Sequence, residues 1–558
     1  METPGLTVYK IPPMPPNWDR VGVFYVSFCA IWTTIVVAGM SFCWYNRNLP
    51  IMRVRGLPLA FGSIIFLHLY WVLAQLTYPI GATMPIVIAY DVQYFVMGTW
   101  FPLGIALFHA ANLRFLRVAK LQRQFTLPEL QIPRRRSRIQ SAWFNRVQNM
   151  YYTTRIMTLI ITGVVIQALL TLGMWLACKK YHPSFGIPGT EIRGTTLPEQ
   201  LVDLGRGWEW WPSVVWQFIW TWGVAPFLIW RAWDIRDTMG WRTQTIGACL
   251  SGLHATPMFL IASYVPAFNK VNAYFHPSQW IHLNTLFIEI FTVFIPAYQI
   301  IKLWQTRRKV TSPNQTWAPS SPSITLDTLH TTTPSSKSSS ISLIEKDQIL
   351  RYVHADHADG LYTLTALTRV LEEHPTPLQD FSAHHDFSGE NIAFLTRAAK
   401  WKKEWCKGFE KEESHRRDMF NAALRIYIDF ISTRDAEFPL NIASNQLKEL
   451  EAVFEGAARV LCGNAWVETA LPFAFDALPS HRSDEIEIHT GEIVDQFGPR
   501  VFEDVQMHVM DLVLTNTWPK FVREMQMQRR RSVGTGGSGG TEGVERRLGG
   551  GLRGLLCI

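Results

Sequence analysis

A few ionisable side chains lie inside long apolar runs of this 558-residue chain. Asp91 falls in a run at about 85–111, and Glu289 near the middle of one at about 280–303. His282, Thr285, Glu289 and Pro296 follow at steps of three, four and seven, which places them on one helical face. Ionisable groups in hydrocarbon are costly. Such a stripe therefore reads either as a polar pocket for a small ligand, lined by Asp91, His282 and Glu289, or as hydrogen bonding that fixes helix to helix. For Glu289 the two readings stay level; for His68 and His254 the second is preferred. Seven Cys show no paired spacing and no CxxC, which argues against a disulfide framework or a zinc site. No metal and no cofactor is expected.

The elements that must position these groups are membrane helices. A bilayer core needs about 20 apolar residues in helical form. Seven segments reach that length, at about 21–45, 57–79, 85–111, 155–178, 211–230, 244–265 and 280–303. Pro226 should kink the fifth, and the sixth, with His254 and Pro257, is the weakest. Of the 23 Trp, 18 precede residue 305, as suits a side chain that favours the membrane–water boundary. The N-terminus, Pro-rich and nearly uncharged before a long apolar run, does not read as a cleavable leader.

Loop charge sets the orientation. Residues 114–155 carry ten Lys or Arg against one acid, Glu129. The first loop has Arg47, Arg53 and Arg55; the fifth has Arg231, Arg236 and Arg242 with two acids. Loop two is uncharged, loop six has only Lys270 and loop four is balanced, although Lys179 and Lys180 in loop four oppose the trend. The N-terminus is therefore expected outside and everything after residue 305 in the cytosol. Beside membrane helices, the basic 114–155 loop points to the anionic inner leaflet, not to nucleic acid.

Residues 306–345, rich in Ser, Thr and Pro, read as a disordered tether, and 526–558, Arg- then Gly-rich, as a disordered tail. Between them, residues 346–525 show helical periodicity. Phe420, Ala423, Ile426, Tyr427 and Phe430 form one apolar stripe, and Phe502, Val505, Val509, Leu512 and Val513 another. The expected organisation is thus all-α: a short outer segment (1–20), a seven-helix bundle (21–305), a linker, and a helical domain.

Three blocks of that domain resemble the RGS family, the regulators of G-protein signalling. Phe387-Ser388-Gly389-Glu390-Asn391-Ile392-Ala393-Phe394 resembles its first signature; Tyr427, Phe430, Ile431 and Asn441 resemble the second; Trp518 and Phe521 resemble the last helix pair. The resemblance covers about a third of the chain. It implies an RGS-like domain that supplies no catalytic residue. Such a domain binds the switch loops of a Gα subunit best in their transition-state shape and so speeds GTP hydrolysis. By resemblance Asn441 takes the central position, Glu390 and Asn391 contact the first switch, and Ser444, Leu512, Asn516 and Lys520 frame the surface. Asn516 and Lys520 depart from the family's usual acid and Arg, and the 465–500 segment is extra; these bear on Gα selectivity and potency.

The whole plan resembles the hybrid seven-helix RGS proteins of fungi and plants. Receptor fingerprints are mostly missing: the third helix ends His109-Ala110-Ala111-Asn112-Leu113-Arg114, and the seventh has only Ile295-Pro296-Ala297-Tyr298. The expected function is a membrane-anchored brake on Gα, under the control of an unnamed extracellular small ligand sensed by the seven-helix part. The alternative is a sensor or transporter whose tail only docks a partner.

Overall fold

The computed structural model describes residues 7–126, 152–314, 362–405, 413–462 and 488–535. Most of the linker, most of the 114–155 loop, the greater part of the 465–500 segment and the Gly-rich end lie outside the described residues. Every regular element among those described is a helix.

Among the described residues, seven helices are long and apolar enough to cross a membrane: α1 (Arg20–Tyr45), α2 (Leu57–Thr83), α3 (Ile86–Thr126), α4 (Ile156–Ala177), α5 (Leu197–Ala232), α6 (Trp241–Tyr264) and α7 (Gln279–Arg308). α3 is the central one, with 72% of its apolar window buried, against 17% for α4 and 22% for α1 at the periphery. Its small residues allow this. A Cβ placed on Gly104 would lie 2.8 Å from Leu67 Cγ of α2, so only glycine permits that approach. α3 also runs to Thr126, well past the expected end near 111, and carries the site described below.

Prolines shape these helices in a repeated way. Wide π turns at Val96–Trp100, Ile219–Val224 and Ile290–Phe294 each end two residues before a proline: Pro102, Pro226 and Pro296. A proline has no N–H to donate, and its ring crowds the carbonyl four residues back; widening the preceding turn relieves both problems. α6 is interrupted at Leu253 and His254, between Trp241–Gly252 and Ala255–Tyr264.

The tail folds into α8 (Leu364–Glu373), α9 (Pro375–His384), α10 (Gly389–Trp405), α11 (Glu413–Ile426), α12 (Ser444–Cys462), α13 (Glu503–Leu512) and α14 (Trp518–Thr535). They enclose one core built on Phe394, Trp401, Phe420, Tyr427, Phe454 and Phe502. The first expected stripe is buried throughout. In the second, Phe502, Val505, Val509 and Val513 are buried, but Leu512 is only half-buried and faces a cleft instead. A further π turn at Val513–Thr517 precedes Pro519 by the same two-residue step.

The tail domain rests on one end of the bundle, the end that carries loops one, three and five. Phe125 of α3 packs against its core, with ring centroids 5.7 Å from Phe438. Phe387 enters a bundle cluster with Phe115 and Trp241. Arg307 of α7 meets Asp511 at 3.6 Å.

Candidate functional site between bundle and tail

The α9–α10 turn is held by one carboxylate. Asp386 is fully buried and accepts hydrogen bonds from Lys520 Nζ (2.6 Å), Thr517 Oγ1 (2.7 Å), Ser388 Oγ (2.9 Å) and Thr238 Oγ1 of loop five (2.6 Å). This clamp joins α10, α14 and the bundle. It presents Phe387 at φ 47°, a left-handed conformation that a bulky aromatic side chain rarely adopts. Gly389 then opens α10 so close to the bundle that an added Cβ would meet Gln122 Oε1 and Phe125 Cβ at 3.0 Å.

Asn441 is placed from two sides. The neighbouring Leu440 donates its N–H to Phe430 O (2.8 Å), and Asn441's own carbonyl bonds His508 of α13 (3.1 Å). Its side-chain Nδ2 donates to the backbone carbonyl of Asn48, in loop one (3.2 Å).

These pieces line a cleft of about 60 Å³. Its tail-side wall includes Glu390, Asn391, Asn441, Leu512 and Asn516, five of the seven residues the family resemblance nominates, drawn from three separate stretches of chain. Its other wall is Pro50, Arg53 and Val54 of a short helix, Pro50–Arg55, with Val118 of α3. Asn516 is buried, and its amide oxygen has no hydrogen-bond partner among the described residues. The other two nominated residues lie apart from the cleft. Ser444 is exposed at the start of α12, and Lys520 turns inward to Asp386.

Burial dominates the electrostatics. Glu390, partly covered at the cleft, has its carboxyl pushed up to about 7 by desolvation; the hydrogen bond from Gln122 Nε2 (2.9 Å) and the nearby Arg53 oppose the shift. Arg53 is in turn pulled below its usual value by burial. Arg55 is the fastener that composition could not reveal. It is buried, donates to Gln244 Oε1, Ile51 O and Met239 O, and is lowered to about 10 by desolvation. Asp237, raised by burial, accepts the N–H groups of Trp241 and Arg242 that open α6. Together they fix loop five beside loop one. The cleft offers amides, the carboxylates of Glu390 and Glu437, the Arg53 guanidinium and an apolar rim, a set suited to reading a protein loop. Among the described residues no group of His, Cys, Asp and Glu could hold a metal ion.

The bundle's ionisable residues do not gather into one site. Asp91, half-buried, accepts from Trp175 Nε1 of α4 at 2.9 Å. Glu289, wholly buried, bonds His68 Nδ1 of α2 (2.8 Å) and Trp32 Nε1 of α1, and His68 reaches Thr33 Oγ1 (3.0 Å). His282 packs on the Tyr70 ring, centroids 4.2 Å apart. Compared with known proteins, the chain matches no family model, no curated protein and no solved structure.

Proposed function

We propose that this chain is a membrane-anchored regulator of G-protein signalling, whose tail domain binds a Gα subunit and speeds its GTP hydrolysis. The observation that carries the reading is convergence. Residues as far apart in sequence as Glu390 and Asn516 line one cleft, and five of the seven positions that the family resemblance nominates meet there. The reading asks for no nucleophile or acid–base pair from this domain, because a Gα partner already owns its catalytic Arg and Gln. An amide such as Asn441 both donates and accepts, and so can match two switch groups at once. The orientation proposed is N-terminus outside and tail in the cytosol, where lipidated Gα sits at the membrane.

The test is single-turnover GTP hydrolysis by Gα subunits of the inhibitory-like class with the isolated segment 346–525, which carries its own core. Acceleration is expected. Asn441→Ala should reduce it by roughly 100-fold, the scale for losing one pre-organised donor. If no Gα from the same organism hydrolyses faster with the wild-type segment, the tail is a docking scaffold and Asn441 only a turn residue.

A further inference from the structure

We propose that the bundle masks the tail's Gα-facing side, so that the domain is latent while docked and acts only after it separates. The inference rests on the reading of the tail as a Gα regulator. Five of the residues that would meet Gα face the bundle across the cleft. The Asn441 amide is already occupied by the Asn48 carbonyl, and Glu390 by Gln122, whose Oε1 also accepts the Gly389 N–H at 3.0 Å. A volume of about 60 Å³ holds a few waters. A switch loop of another protein does not fit there while Pro50, Arg53 and Val54 stand opposite.

The same contacts are few and separable. Phe387 is the plug: its ring is buried beside Phe115 of α3, centroids 6.0 Å apart, on a strained left-handed backbone. Around it lie a few hydrogen bonds, among them Thr238 N–H to His385 O (2.8 Å), and the exposed Arg307–Asp511 pair. The bundle's side of the interface comes from loop one, the end of α3, loop five and the end of α7. A rearrangement of the seven helices that moves these pieces apart shifts the docking equilibrium, because any ligand preferring one bundle shape biases the tail attached to it.

The experiment uses the full chain in lipid nanodiscs, with hydrolysis by Gα as one readout and amide hydrogen exchange over 385–392 as the other. Thr238→Cys with His385→Cys creates a lock, since the backbone hydrogen bond brings these residues within disulfide reach. Gln122→Glu with Thr238→Glu, both on the bundle side, sets like charges against Glu390 and Asp386, forces release and leaves 346–525 unaltered. The released protein should accelerate hydrolysis about tenfold more than wild type, in the ordinary range of coupling between sites. The oxidised lock should abolish acceleration, and reduction should restore it. If locked, wild-type and released proteins all accelerate equally, masking is overturned and the Gα reading stands. If even the released protein, with exchange at 385–392 raised, accelerates no Gα, the Gα reading itself fails and masking falls with it.

Discussion

At the scale of single residues, two side chains make roles visible that their types alone did not. Lys520 was expected, by resemblance, on the partner-facing surface. Instead it neutralises Asp386, which is fully buried. Removing one partner of a buried pair strands the other charge. Lys520→Ala should therefore lower the unfolding free energy of segment 346–525 by about 2 kcal/mol, somewhat below the range for fully enclosed pairs because Thr238 is missing from the segment. Lys520→Met with Asp386→Asn should recover most of it. A denaturant midpoint unchanged by Lys520→Ala would contradict the clamp. Glu390 is the second case. Its carboxyl is raised to about 7 when docked, with Arg53, Asp386 and Glu437 the charged groups around it. Freed into solvent it should return toward an ordinary carboxylate value, so docking takes up a proton. The raised value means docking is strongest at low pH and weakens as pH rises through about 7. Between pH 6 and 8 the docked-to-free ratio should fall about tenfold. Amide exchange over 385–392 measures this, and Glu390→Gln should flatten the profile; a ratio independent of pH in the wild-type protein would rule it out.

At the scale of elements, apolar length and proline position carried far. The seven spans and the Pro226 distortion were legible because hydrocarbon thickness and a missing N–H act locally. Arg55, Gln122 and Thr238 were not, because their partners lie in other elements: Gln244, Glu390 and Asp386. Glu289 shows the same limit. Spacing marked it as notable but left pocket and tie level, and only its partners on α1 and α2 show what it joins. Glu289→Ala would leave Trp32 and His68 without their acceptor inside the bundle, at about 1 kcal/mol per bond. Surface expression, read by labelling intact cells, should drop for Glu289→Ala and stay near normal for Glu289→Gln, which keeps an acceptor. Asp91→Asn, at a half-buried site with one partner, should express normally. Full expression of Glu289→Ala together with an altered signalling readout would restore the ligand-pocket reading.

At the scale of the whole molecule, topology decides whether tail and Gα can meet. The odd loops and the tail domain gather at one end of the bundle, because each of seven spans crosses once and so leaves loops one, three and five and the C-terminal side together. Loop four carried the charges that opposed the orientation, and the structure disposes of them in pairs. Lys180 is buried against Glu209 at 3.0 Å and also donates to the carbonyls of Asp203 and Arg206, while Lys179 meets Glu191 at 3.2 Å. The four Lys and Arg of loop four are outnumbered by those of loops one, three and five, ten of them in 114–155 alone, so the more cationic end should set the insertion. An epitope tag before Val8 should therefore be labelled on intact cells, and a tag after residue 535 only after permeabilisation. Protease added to intact cells should spare the tail domain for the same reason. Lys180→Ala should leave the pattern unchanged, because removing a cation from the less basic end only steepens the bias. Labelling of the C-terminal tag on intact cells would place the tail away from every cytosolic Gα and end the regulator reading, whatever the purified domain does in solution.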